Sequence, residues 1–385
     1  MTDKNFDSDG LDFNIEFDAE NGDWTIEETS PDDESTLDDD DLLQSPPTQV
    51  PIDEVISHLL EHDDLPGTAT LRVLSDLSKA DAQAVESRWL DIPLQRRREL
   101  VAGLVEDADD DLQLHLGRVL RIALHDPDAQ IRRMAIEGLW EDESGDLIGP
   151  LTHLLRSDPE TEVRAAAAAA LGAFVLAGEL DELDATLAMR AEEVLLSVLR
   201  NEEEPVAVQC RALESIAYSG EVGVRSFIED AYYSPYEEMR VAALNAMGRS
   251  ADIRWRSLAR AELENPSPAM RVSAAIACGE LEAHAAIDEL LPLLNDEEQA
   301  VRLAAIFALG RLGGRAARDA LREVAESEYE EEAAAAADAL EEMLFYASAD
   351  EIPLLEESQD ADQGSDDERW DSWFGSDDSD LGTYG

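Results

Sequence analysis

The side chains best suited to chemistry are few, and their spacing does not favour catalysis. The six histidines are His58, His62, His115, His125, His153 and His284. They do not combine with Cys210 and Cys278, the two cysteines, into a spaced ligand set of the kind that holds zinc. "GRLGGR" (residues 310–315) is glycine-rich, but it ends a helical pattern and does not follow a strand, as a phosphate-cradling loop would. With 90 Asp and Glu residues, no catalytic carboxylate pair stands out from a solvated charged face. No catalytic residue, metal or cofactor is assigned.

One basic cluster does stand out. Residues 240–322 hold 11 arginines and 11 acids, a neutral stretch in a chain of formal charge −61. "RSADIRWRSLAR" (residues 249–260) sets arginines around a tryptophan, and the following copies add Arg311, Arg315, Arg318 and Arg322. Tryptophan and arginine are enriched at binding hot spots. Arg249, Arg254, Trp255, Arg256, Arg260, Arg315, Arg318 and Arg322 are therefore candidates to receive an acidic segment, from a partner or from the chain's own tail. The same residues also suit a structural arrangement, with the arginines paired to Glu262, Glu264 and Asp319 around a partly buried Trp255.

The elements that would position this cluster repeat. "DPETEVRAAAAAALGAF" (158–174), "SPYEEMRVAALNAMGRS" (234–250), "NPSPAMRVSAAIACGEL" (265–281) and "NDEEQAVRLAAIFALGRLGG" (295–314) share one plan. A turn residue, usually followed by proline, leads through an acidic spacer to an apolar residue with arginine, then to small apolar residues and glycine. The arginines are Arg132, Arg164, Arg240, Arg271 and Arg302, spaced 32, 76, 31 and 31 residues apart. The long gap hides a divergent copy at 204–220 in which Gln209 takes the arginine slot. Even so, the 45 residues from Arg164 to Gln209 leave an excess of about one turn and helix near 175–190. In the copy at 295–314, Val301, Ala304, Ala305, Ala308 and Leu309 fall on one helical face, and Gly310, Gly313 and Gly314 are read as its stop. Each Asp-Pro step separates one helix pair from the next, because the residue before proline is pushed out of α geometry. The recurring arginine is expected to bond the acid or carbonyl at the turn of an adjacent repeat.

These copies, together with "DPDAQIRRMAIEGLWE" (126–141), resemble HEAT repeats, in particular the short variety named after phycobilisome bilin lyases. The resemblance spans roughly residues 110–345. It implies an all-α fold, an α-solenoid built as a superhelix of antiparallel helix pairs, and a family made mostly of scaffolds and adaptors. One enzymatic branch, the deoxyhypusine hydroxylases, holds two irons with repeated His-Glu dipeptides. None of the six histidines here precedes glutamate. Nothing marks a tetrapyrrole pocket of the lyase kind either.

Composition bounds the rest. A charge of −61 would repel nucleic acid and anionic membranes alike. No run approaches the ~18 apolar residues that span a bilayer, and the N-terminus lacks a secretory pattern. Both cysteines lie in apolar helical patterns and read as buried thiols, so a cytoplasmic protein is expected. Residues 1–50 carry 17 acids and one base, and residues 351–385 carry 12 acids and one base. The expected organisation is a disordered acidic arm (1–50), a helical N-terminal cap (51–125), the repeat array (126–347) and a disordered acidic tail (348–385). "LDFNIEFD" (11–18) and "RWDSWF" (369–374) suit short docking segments within those acidic ends. The function these features favour is a non-catalytic scaffold that binds another protein. The rival is a lyase-like enzyme or accessory module acting on a modified protein.

Overall fold

Alanine- and leucine-rich stretches with a helical period fill most of the chain, and they fold as that period dictates. The computed structural model describes residues 13–18, 23–28, 50–62, 64–67, 72–75, 77–110 and 115–350. Two units are distinct, Met1–Pro51 and Ile52–Gly385. In the first, strands β1 (Phe13–Asp18) and β2 (Asp23–Glu28) pair antiparallel, with Ile15 opposite Ile26 and Phe17 opposite Trp24. The expected docking segment "LDFNIEFD" falls largely on β1. Its alternation of apolar and polar residues has the two-residue period of a strand. The rest of the acidic arm, and the tail with "RWDSWF", lie outside the described residues.

The second unit is all-helical among the described residues. It begins with α1 (Ile52–Glu61), α2 (Lys79–Arg88), α3 (Leu94–Asp110), α4 (Gly117–Ala123), α5 (Ala129–Glu137) and α6 (Ile148–Ser157). Then follow α7 (Thr161–Glu179), α8 (Ala185–Leu199), α9 (Val206–Ile216), α10 (Val222–Tyr232), α11 (Glu237–Arg249) and α12 (Arg256–Ala261). The last are α13 (Pro268–Glu280), α14 (Ile287–Leu293), α15 (Gln299–Leu312), α16 (Gly314–Ala325) and α17 (Glu330–Asp350). From α3 onward the odd-numbered helices pack on one another in sequence, and each even-numbered helix packs on the odd helix that follows it. This is the stacked-pair plan of a solenoid, in which each pair buries on its neighbours the face it cannot bury alone. Val301, Ala304, Ala305, Ala308 and Leu309 are all buried, as their spacing requires.

The structure revises three sequence expectations. First, the excess residues between Arg164 and Gln209 add no helix. They lengthen one existing pair, so that α7 has 19 residues and α8 has 15. Second, α7 is long and apolar enough by composition to cross a bilayer, with a mean hydropathy of 1.3. The expectation that no run approaches that length undercounts alanine and glycine. In the fold α7 is a core helix, with Val163, Ala167, Ala168, Leu171 and Val175 fully buried against α5, α6, α8 and α9.

Third, most of the recurring glycines do not stop helices. Gly172, Gly248, Gly279 and Gly310 lie within α7, α11, α13 and α15 and face the next odd helix. A Cβ on Gly172 would sit 2.9 Å from Ser215 Oγ and 3.2 Å from its Cα. One on Gly310 would sit 2.9 Å from the Ala339 Cβ. Absence of a side chain lets the odd row close to near backbone contact. The stops come three residues later in α11, α13 and α15 and nine residues later in α7, and are mostly not glycine. Asp181, Ala251 and Glu282 take φ of 59°, 50° and 51°. Glu282 and Ala283 donate their amides to Gly279 and Cys278 carbonyls at 3.1 and 2.9 Å, closing a Schellman motif. Among these four helices α15 ends on glycine, with Gly313 at φ 66°.

This yields two glycine substitutions of opposite sign. Gly172→Ala should destabilise by about 2 kcal/mol through overpacking, although alanine is the better helix former. Glu282→Gly should stabilise by about 1 kcal/mol by relieving left-handed strain. Urea unfolding followed by circular dichroism measures both, and a stabilising Gly172→Ala would overturn the close-approach reading.

Candidate binding trough and the arginine ladder

Four of the five ladder arginines, Arg132, Arg164, Arg271 and Arg302, are each held at two places. Arg132 donates from Nε and Nη2 to the Asp158 carboxylate at 2.7 and 2.8 Å, and from Nη1 to the Asp126 carbonyl at 2.8 Å. Arg271 repeats the geometry on Asp296 at 2.9 and 2.8 Å and on the Asn265 carbonyl at 2.9 Å. Arg302 does so on Glu332 and the Asp296 carbonyl, and Arg164 on Glu204 and the Asp158 carbonyl. The carbonyl belongs to the turn that starts the arginine's own helix, and the carboxylate belongs to the next repeat. That carboxylate has a second task. Asp158 and Asp296 each accept the amide two residues on, from Glu160 and Glu298, at 3.0 Å. One side chain thus shapes the turn and ties the joint.

The ladder begins one unit before the expected array. Arg97, on α3, donates to Asp126 at 2.7 Å and to the Ile92 carbonyl at 2.6 Å, and Trp89 Nε1 also donates to Asp126 at 2.7 Å. The segment read as a cap therefore already uses the repeat's joint.

Two joints lack the rung. Gln209 reaches only the Asn201 carbonyl, and Arg240 only the Ser234 and Pro235 carbonyls and Glu237 of its own helix. Other groups bridge these repeats. Glu214, 4% exposed, accepts from Arg211 on α9 and from Asn245 on α11, while Arg249 donates to the Glu214 carbonyl. At the next joint Glu262 accepts from the Tyr232 hydroxyl and from Asn265. Burial, and then Glu262, hold the Tyr232 phenol well above its usual range.

The candidate cluster around Trp255 comes together only in part, with Arg256 and Arg260 lining one pocket and the other arginines outside it. Trp255 is 7% exposed, which removes it as an anchor. Arg254 is paired with Asp252, Arg256 with the Leu281 carbonyl and Arg260 with Glu289. Arg249 belongs to the α9–α11 joint and lies over Tyr218. Arg315 and Arg322 lie 3.6 and 3.4 Å from Asp319, and Arg318 buries its Nε on α16, two repeats from α12. Satisfying local carbonyls and acids disperses the cluster that the sequence drew together.

The surface that does come together lies on the odd row. A trough of about 1280 Å³ runs over α5, α7, α9 and α11. Its floor is the solvent side of α7, Ala165, Ala166, Ala169, Ala170 and Ala173, joined by Ala207, Cys210 and Val241. Trp140, Leu176 and Leu180 rise from it, 63%, 37% and 57% exposed. Eight carboxylates and two arginines line it. Both arginines are engaged, Arg133 with Glu137 and Arg211 with Glu214, each at 2.7 Å. Sequence reasoning missed this surface because it treats alanines as helix-packing residues. The available signal was the unbroken run Ala165–Ala170, which places alanine on every side of α7. Among the described residues, no three His, Cys, Asp or Glu side chains converge as a metal site.

Residues 117–194 and 257–341 match the family model for HEAT repeats. Those two stretches carry HEAT repeats. The stretch between the two matches contains Gln209 and Arg240, the positions without a cross-repeat rung. Among solved structures, the complex of CpcE and CpcF of phycocyanin lyase from a Nostoc species is similar over 60% of this chain and 87% of that one, at 19% identity and a TM-score of 0.45. Importin beta is similar over 75% of this chain and 44% of that one, at 17% identity and 0.41. Human deoxyhypusine hydroxylase is similar over 76% and 96%, at 17% identity and 0.31. No curated protein matches the chain.

The HEAT-repeat rung has a defined pH dependence. The Arg271 fork, against a smaller opposing effect of burial, holds the Asp296 carboxyl below its ordinary range. A lowered folded value means the pair stabilises fully above the unfolded value near ~3.9 and loses its effect as pH falls through the folded one. Arg271→Met should cost about 3 kcal/mol at pH 7, and the deficit should narrow below about pH 4. A deficit constant from pH 7 to pH 3 would show that the fork's charge is irrelevant.

Proposed function

We propose that this HEAT-repeat protein is a non-catalytic scaffold that docks another protein in the odd-row trough. The carrying observation is the trough itself, an open surface with an apolar floor that runs across several helices of the odd row. Its volume exceeds the roughly 300–1,000 Å³ that encloses a small ligand, and it spans several helices, as a helix-receiving groove does. Its one thiol argues against covalent chemistry. Cys210 is 8% exposed, and burial, with Glu214 nearby, pushes the thiol up to about 11. Cys278 is fully buried and pushed up to about 12 by the same desolvation. Two buried free thiols also suit a reducing, cytoplasmic setting.

Site-specific photo-crosslinking in the native cell tests this reading. A photoreactive residue at Ala173 or Val241, in the trough, should give a discrete protein adduct. The same residue at Met189, exposed on α8, should give none. Equal adducts from both faces would sink the trough assignment. A purified protein absorbing beyond its aromatic bands would instead favour the lyase-like alternative.

A further inference from the structure

From the charges that ring the trough, we infer that its occupant is a basic, amphipathic helical segment of a partner protein. The inference rests on the docking reading and adds the partner's chemistry. Glu162 opens α7 and Glu182 lies just past its end, so the helix that carries the alanine floor, ~28 Å long at 1.5 Å per residue, has a carboxylate at each end. Glu237 and Glu238 stand at the start of α11 on the same trough, and Glu143 follows Trp140 at another edge. All five are exposed, and among the described residues only Glu237 has a cation within 4 Å, its own helix's Arg240 at 3.7 Å. The middle is apolar and the ends are anionic.

That pattern selects its occupant. Bulky apolar side chains on one helical face would cover the alanine floor and contact Trp140 and Leu180, while lysines or arginines at the flanks would meet Glu162 and Glu182. An acidic segment would be repelled. The same charge argument favours a partner over the chain's own ends, since residues 1–50 carry −16 and residues 351–385 carry −11 by the acid and base counts above. The arginines that could have received such a tail elsewhere are largely engaged within the array. Nucleic acid is excluded by the same field. The extra length of α7 serves this role, because it extends the floor past the span of the other odd helices, which have 9 to 14 residues from α5 to α15.

Three synthetic 20-residue peptides and the full-length chain test the proposal. One is an amphipathic helix with leucines on one face and lysines on the other. The second has glutamate in place of lysine, and the third keeps the lysines but replaces leucine with serine. Binding is read by anisotropy of labelled peptide and by the emission shift lost in a Trp140→Phe variant. The leucine–lysine peptide should bind, and both others should bind at least tenfold more weakly. Glu162→Lys with Glu182→Lys should weaken it at least tenfold. Glu193→Lys with Asp230→Lys, an equal charge change on exposed positions of the even row, should change it less than twofold. Equal loss from both double variants would overturn the proposal, because binding would then follow net charge alone. Binding of the glutamate peptide with a Trp140 response would overturn the basic chemistry and leave the docking reading intact. Absence of any peptide response, together with absent trough crosslinks, would overturn both.

Discussion

The structure depends on one recurring interaction, an arginine fork that joins the carbonyl of its own turn to a carboxylate of the next repeat. Stacked helix pairs have a large lateral freedom that apolar contact alone does not remove, because burial is non-directional. The fork is directional. Its geometry sets where each repeat sits on the last, within a few tenths of an ångström across Arg97–Asp126, Arg132–Asp158 and Arg271–Asp296. The paired groups are mostly buried, so the fork contributes more to register than to net stability. Leaving either partner alone is what is costly.

Register in turn permits close approach. Glycines within the odd helices and alanines across the odd row bring successive helices nearly into backbone contact. This dense packing is paid for by small side chains, and small side chains leave a shallow apolar surface on the outward face. The trough is thus a consequence of how the odd row packs. Its size follows from the lengthened α7–α8 pair, and its chemistry from the acids at the helix ends.

Where the fork is missing, the fold replaces it with networks that use different residues. Glu214 with Asn245, and Glu262 with Tyr232 and Asn265, bridge the two joints that lack a cross-repeat rung. The first of these lies in the trough wall, so the joint at Gln209 and the proposed docking surface share a residue. Glu280 shows the opposite case. It packs against Gly248 with Oε2 buried and unbonded, and desolvation raises its carboxyl despite Arg249 and Arg311 nearby.

The repeat and the helix pairs were legible in the sequence, because they depend on local periodicity and on a spacing of 31 or 32 residues between most copies. The face at 301–309 was legible for the same reason. What the sequence could not decide is which side of a helix made almost wholly of alanine meets a neighbour and which meets solvent, since alanine gives no contrast between faces. It also could not distinguish a glycine that ends a helix from one that admits the next. Nor could it separate an arginine cluster in the chain from one in space. Those outcomes rest on contacts 25 to 46 residues apart, such as Arg271 with Asp296, Arg256 with the Leu281 carbonyl, and Ser215 with the Ala169 carbonyl. Only the stacked repeats bring them together, and so the alanine side of α7 becomes a surface while Trp255 becomes core.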